Sequence, residues 1–147
     1  MRIYVDADAC PVTDMAVDWA VQNGLGIILI CDSAHEMRRA GARTVTVHRG
    51  DDSADYVIVN LLLPGDLVIT QDYGLAAMCL ARGARAINQD GREYTNDNID
   101  GLLAVRHLAK VARRAGERTK GPKKRGREQD MAFLRTLEGL EKGCHKM

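Results

Sequence analysis

The sequence opens MRIYVDADACPV, and Asp6 and Asp8 leave a short apolar run as two carboxylates two residues apart. Further acids also follow apolar runs: Asp32 after LGIILIC, Asp72 after LVIT, and Asp90 just after AIN. Asp52 and Asp55 stand three apart at the start of another apolar stretch, a spacing that puts them on one face of a helix. Singly, each has an ordinary role as a helix cap or a solvated side chain, and both Asp8 and Asp72 precede helical patterns. Gathered at one edge, four or five carboxylates raise one another's pKa unless a cation offsets them. An all-oxygen set without matched His or Cys suits Mg²⁺ or Mn²⁺ rather than Zn²⁺. Such an ion activates water and stabilises charge on a phosphoryl group, so the chemistry indicated is metal-dependent phosphoester hydrolysis. Asp66 precedes its apolar run, falls at the opposite end, and stays outside the set.

The same residues admit rival chemistry. Asp6-Ala7-Asp8 fits the DxD start of haloacid-dehalogenase-type phosphatases, with Asp6 as nucleophile and Asp8 as general acid. Cys10 stands where that pattern has Thr or Val, however, and no convincing lysine follows a later strand. Cys10 at a helix start could be an acidified thiol. A phosphate-binding cysteine loop needs an arginine six residues on, where this chain has Ala16, so Cys10 reads as a small packed residue or cap. His35, His48, His107 and His145 share no metal-like spacing.

The near-neutral total charge of +1 hides an asymmetry. Residues 1–105 hold 8 Lys/Arg against 15 Asp/Glu, and residues 106–147 hold 13 against 5, net −7 and +8. An acidic body suggests a cation site, and a basic end suggests an anionic partner. Arg113, Arg114, Arg118, Lys120, Lys123, Lys124, Arg125 and Arg127 could contact phosphates without reading sequence. Arg38 and Arg39 could add to that surface. Nucleic acid is the expected partner, RNA before DNA, and a non-catalytic RNA-binding module is the alternative to a nuclease. The scarcity of aromatics argues against a specific single-strand reader.

The elements that must position these groups alternate. Strands are expected at Ile3–Val5, Leu25–Cys31, Thr44–His48, Leu67–Thr70 and Ala84–Ile87. Helices are expected from Pro11 to Gly24, over Ser53–Leu63, over Tyr73–Arg82, from Asn96 or Asp97 onward, and over about Glu128–Lys142. Leu102, Val105, Leu108, Ala109 and Ala112 would face inward on the long helix, and Phe133, Leu137 and Leu140 on the last. Asp90-Gly91 marks a tight turn. Alternating strands and helices imply a mainly parallel sheet covered on both faces, with the site beyond the carboxyl ends of the strands. At 147 residues one domain with its own core is expected. No apolar stretch reaches membrane-spanning length, no cationic start precedes a long apolar run, and the four cysteines lack CxxC spacing, so free thiols and the cytoplasm are expected.

MRIYVDADACPV, GDLVITQDYGLAAMCLARGA, INQDGREYT and TKGP together resemble the YaiI/YqxD family of bacterial proteins over essentially the whole chain. That family is in turn similar to the PIN-like nuclease superfamily. The resemblance implies a PIN-like three-layer α/β sandwich over residues 1–115, with a basic loop and helix over 116–147 packed on the same domain. It further implies metal ligands at Asp6, at Asp52 or Asp55, and at Asp72 within Ile69-Thr70-Gln71-Asp72. Asp8 would join Asp6, Asp55 and Asp72 in catalysis, or orient a water. Many PIN domains carry Glu where this middle helix carries Asp55, and the basic end is an addition to their core.

Overall fold

The structure is a computed structural model and describes residues 1–8, 10–32, 36–48, 53–116 and 125–144. The chain runs β1 (Ile3–Asp6), α1 (Thr13–Gln22), β2 (Ile27–Asp32), β3 (Arg43–Val47), α2 (Ser53–Leu61), β4 (Leu67–Ile69), α3 (Tyr73–Ala81), β5 (Arg85–Ile87), β6 (Glu93–Tyr94), α4 (Asn96–Arg114) and α5 (Arg127–Cys144). The strands make one sheet in the order β3-β2-β1-β4-β5-β6. Pairings among β1 to β5 are parallel, and β6 runs antiparallel to β5. This is the three-layer α/β arrangement that the alternating pattern implies.

The pleat of β1 explains the layers, because successive side chains point to opposite faces. Ile3 and Val5 join Ile27, Leu29, Leu67 and Ile69 under Trp19 and Ala20 of α1 and Phe133 and Leu137 of α5. Tyr4 joins Ile28, Ile30 and Val68 under Ile58 of α2, Leu75 and Cys79 of α3, and Ile99 of α4. Covered on both sides, β1, β2 and β4 have no solvent face to alternate with, hence their unbroken apolar runs. The basic end is therefore not a mere tail, since α5 buries Phe133, Leu137 and Leu140 in the core beside α1.

The segment YVIVNLLL has β-branched residues, yet it forms α2. Ile58 and Leu62 are buried at a spacing of four while Tyr56, Leu61 and Leu63 are exposed, so burial of one helical face overrides strand propensity. The Asp90-Gly91 turn leads into a strand that the sequence reading passes over, the two-residue β6. Asn88 Oδ1 accepts from the backbone N–H groups of Asp90 and Arg92 and fixes the turn. Gly91 has φ +82°, and a Cβ there would meet the Ala132 carbonyl oxygen and Thr136 Oγ1 of α5 at 2.6 Å. Only glycine fits both the turn and the docked helix.

Two expectations are corrected. Pro11 lies in the turn ahead of α1, whose N-cap is Val12. On α4, Val105 and Leu108 are about two-thirds exposed, and the packed face is that of Ile99, Leu102 and Leu103. At about 100° per residue Leu108 lies opposite Ile99, so one helix cannot bury both against a single neighbour. Among the described residues no helix is long and apolar enough to cross a membrane.

Candidate functional site

The strand order reverses direction between β1 and β4, and in open α/β sheets ligands bind beyond the carboxyl ends of the strands at such a switch point. A pocket of about 430 Å³ opens there, lined by Asp6, Asp8, Gln71, Asp72, Tyr73 and Arg106. Asp6 is the last residue of β1, and Asp8 follows it in the turn before α1. Asp72 comes two residues after Thr70, itself the first residue past β4.

Thr70 joins the two strand ends. Its buried hydroxyl donates to Asp6 Oδ2 at 3.0 Å and accepts from the Asp72 backbone N–H at 3.0 Å. Tyr94 of β6 donates its hydroxyl to the Thr70 carbonyl, which holds this hub from behind. Tyr73 meets the Tyr94 ring edge-on, with centroids 5.8 Å apart.

Asp72 caps a helix and meets an arginine through the same oxygen. Oδ1 caps α3 by accepting from Gly74 and Leu75 N–H at 2.8 and 3.2 Å, and it also accepts from Arg106 Nη1 at 3.3 Å. Oδ2 takes none of those bonds. Capping and pocket lining therefore coexist at Asp72. Asp8 does not cap α1; its carboxylate accepts from the Asp32 backbone N–H at 3.2 and 3.4 Å and ties the β1 loop to the end of β2.

Electrostatics mark Asp6 as the centre. Burial pushes its pKa up from 3.8 to about 6; the Thr70 hydroxyl opposes the rise, while the charges of Asp55, Asp72 and Asp8 add to it. Asp55 in the first turn of α2 thus acts on Asp6 without lining the pocket. Asp52 lies outside the described residues. Cys10 packs against the core and burial pushes its thiol up, so it is a packed side chain and not an activated nucleophile. Cys31 and Cys79 are buried free thiols, and Cys79 is pushed up to about 12, chiefly by burial.

Among the described residues no three His, Cys, Asp or Glu side chains converge closely enough to cage a metal ion. The donor set nevertheless fits a hard, water-rich cation, which needs only one or two carboxylates alongside its waters and substrate phosphates. Asp6 through Oδ1 and Asp72 through Oδ2 are the residues that could hold it, since their other oxygens carry the hydrogen bonds given above.

The basic residues divide. Arg113, Arg114 and Arg127 are exposed. Arg125 is committed elsewhere: its Nη1 pairs with Asp90, its Nε with Asp130 and its Nη2 donates to the Gln89 carbonyl, each at 2.7 Å. It fastens the start of α5 to the β5–β6 hairpin with three of its five N–H donors, and Asp90 is engaged there and does not line the pocket. Lys120, Lys123, Lys124 and Arg118 lie outside the described residues. Arg39 pairs with Asp14 of α1, on the other side of the sheet from α4.

Gln71, Tyr73 and Arg106 line the pocket, and Thr70 supports it from beneath, without having been singled out. Thr70 could have been found as a hydroxyl two residues before an N-capping Asp. Arg106 could have been found by following the Ile99–Leu102–Leu103 face one turn further.

An α/β protein with an acidic pocket at its topological switch point is what fold and site define. A profile of the "Uncharacterized BCR, YaiI/YqxD family" matches residues 4–142, and the chain belongs to that family. A UPF0178 protein of Exiguobacterium sibiricum is 51% identical over 140 residues, covering 95% of this chain and 96% of that one. A second, from Ruminiclostridium cellulolyticum, is 46% identical over 137 residues, covering 93% and 90%. The crystal structure of Rae1 (YacP) from Bacillus subtilis covers 97% of this chain and 99% of that chain with a TM-score of 0.45 and 14% identity, a likeness too distant to bear on the site.

Proposed function

We propose that this protein hydrolyses phosphodiester bonds in nucleic acid, RNA before DNA, with Mg²⁺ or Mn²⁺ at the carboxyl ends of β1 and β4. The observation that carries the reading is the meeting of Asp6, Asp8 and Asp72 on one open pocket while Asp6 is held at a pKa of about 6 by burial and neighbouring carboxylates. A charge left so poorly compensated is the electrostatic condition in which a cation binds. The ion supplies a Lewis acid for the phosphoryl oxygens. Asp6 and Asp72 hold it, and Thr70 fixes the Asp6 carboxylate toward the pocket. Asp8 orients the attacking water, while Asp55 adds negative potential from α2. Gln71 and Tyr73 bring an amide and a phenol to the rim, the kind of polar groups with which a protein contacts a ribose 2′-hydroxyl.

The test is cleavage of single- and double-stranded RNA and DNA with Mg²⁺, with Mn²⁺ and with EDTA, comparing the wild type with Asp72→Asn. Asn retains the helix cap and removes the charge. Metal-dependent cleavage lost in the variant supports the reading; cleavage unchanged in the variant, or indifferent to EDTA, rules out the site.

A further inference from the structure

The face of α4 that packs inward changes character along its length. Ile99, Leu102 and Leu103 lie against the core beneath α3. At about 100° per residue, Arg106, Lys110 and Arg113 continue the same face. The apolar stripe thus becomes basic where the helix reaches the pocket. Arg106 is the first of the three and lies in the pocket itself, with its guanidinium on Asp72. Lys110 and Arg113 follow about 6 and 10 Å further along the axis, both exposed and without an acidic partner among the described residues.

A guanidinium on Oδ1 and a divalent cation on Oδ2 repel each other and so compete for the charge of one carboxylate. At half exposure, the Arg106–Asp72 pair is weak enough to open. A guanidinium released beside the pocket is suited to a phosphate, which it can meet with two parallel donors.

We propose that Arg106 exchanges Asp72 for a substrate phosphate when a cation takes that carboxylate, and that Lys110 and Arg113 carry the backbone contact outward along α4. The exchange rests on the reading of the pocket as a metal-dependent nuclease site. Cation and nucleic acid then favour each other's binding, by the same factor in both directions. Arg106 opposes the cation directly and assists the nucleic acid directly, so its removal moves the two affinities in opposite senses.

The experiment uses the full chain in three forms besides wild type: Arg106→Gln, Arg106→Lys and Lys110→Ala. Mg²⁺ and Mn²⁺ affinities are read by calorimetry without nucleic acid, and binding of a labelled RNA oligonucleotide is read by anisotropy in EDTA and in Mg²⁺ across a salt series. Arg106→Gln is expected to tighten metal binding several-fold and to weaken oligonucleotide binding in Mg²⁺ about tenfold. The salt slope in Mg²⁺ should fall by about one. Arg106→Lys should recover part of the oligonucleotide loss, and Lys110→Ala should weaken the oligonucleotide while leaving metal affinity within about twofold, because its charge lies further from Asp72. If wild type binds metal and Arg106→Gln leaves both affinities unchanged, or lowers both together, the exchange is overturned while the nuclease reading stands. If wild type binds no metal, the nuclease reading falls and the exchange falls with it.

Discussion

Asp6 and Asp66 sit at opposite ends of adjacent strands and live in opposite electrostatic worlds. Asp66, just before β4, is buried and well supplied with donors. Oδ1 accepts from the Arg2 backbone N–H and Oδ2 from that of Leu63, each at 3.0 Å, and the Arg2 guanidinium stands 3.8 Å away. Asp6, at the end of β1, has one hydroxyl donor and three like charges within electrostatic reach. The fold could have given both acids the same treatment, since the chain turns back at either edge. One edge is completed, and among the described residues the pocket at the other holds Asp6, Asp8 and Asp72 against one guanidinium, that of Arg106. The first arrangement contributes stability, and in the second burial and like charges oppose ionisation of Asp6.

Removing the satisfied acid should be the larger loss of stability. Asp66→Ala strands the Arg2 and Leu63 N–H groups and is expected to cost about 3 kcal/mol in urea unfolding. Any cleavage per folded molecule should remain, because Asp66 is at the far edge from the pocket. The unsatisfied acid should show the reverse sign: Asp6→Asn in EDTA at pH 7 should stabilise by about 1–3 kcal/mol, the upper value corresponding to the whole shift from 3.8 to about 6. Asn keeps an oxygen for the Thr70 hydroxyl, so the substitution reports the charge.

The pH dependence follows from the same shift. The folded protein holds the Asp6 proton more tightly than the unfolded chain, so its contribution is fully present below about pH 4 and is lost as pH rises through about 6. Metal-free wild type should therefore lose stability over that window relative to Asp6→Asn, measured as the difference between their unfolding free energies at each pH. The smallest effect belongs to Asp72: Asp72→Ala should cost about 1 kcal/mol through the lost cap, while Asp72→Asn should change stability by only a few tenths. A larger loss in the Asn variant would mean that the pairing with Arg106 stabilises the fold.

Much of the architecture was legible because burial on both faces leaves a simple sign. ILI in β2 and LVI in β4 read as covered strands, and Asp6 and Asp72 followed from the rule that acids after strands share an edge. The acids after those strands were not equivalent, however. Asp90 follows β5 yet is held by Arg125, a partner 35 residues away that no spacing rule connects. The β6 strand was missed because two residues carry no period. The inward face of α4 was misread because two apolar stripes run along the helix, and only the packing against α3 chooses between them. Arg106 was passed over for a related reason: its meaning comes from Asp72, which the helix meets only in three dimensions.

The central claim is that the carboxyl edge carries negative charge held for a cation. Thermal unfolding of wild type and Asp6→Asn with EDTA and with saturating Mg²⁺ tests it most directly. Asp6→Asn should melt higher than wild type in EDTA, Mg²⁺ should raise wild type, and the variant should gain little from the metal. A variant that melts lower than wild type in EDTA, or a wild type indifferent to both Mg²⁺ and Mn²⁺, would contradict it.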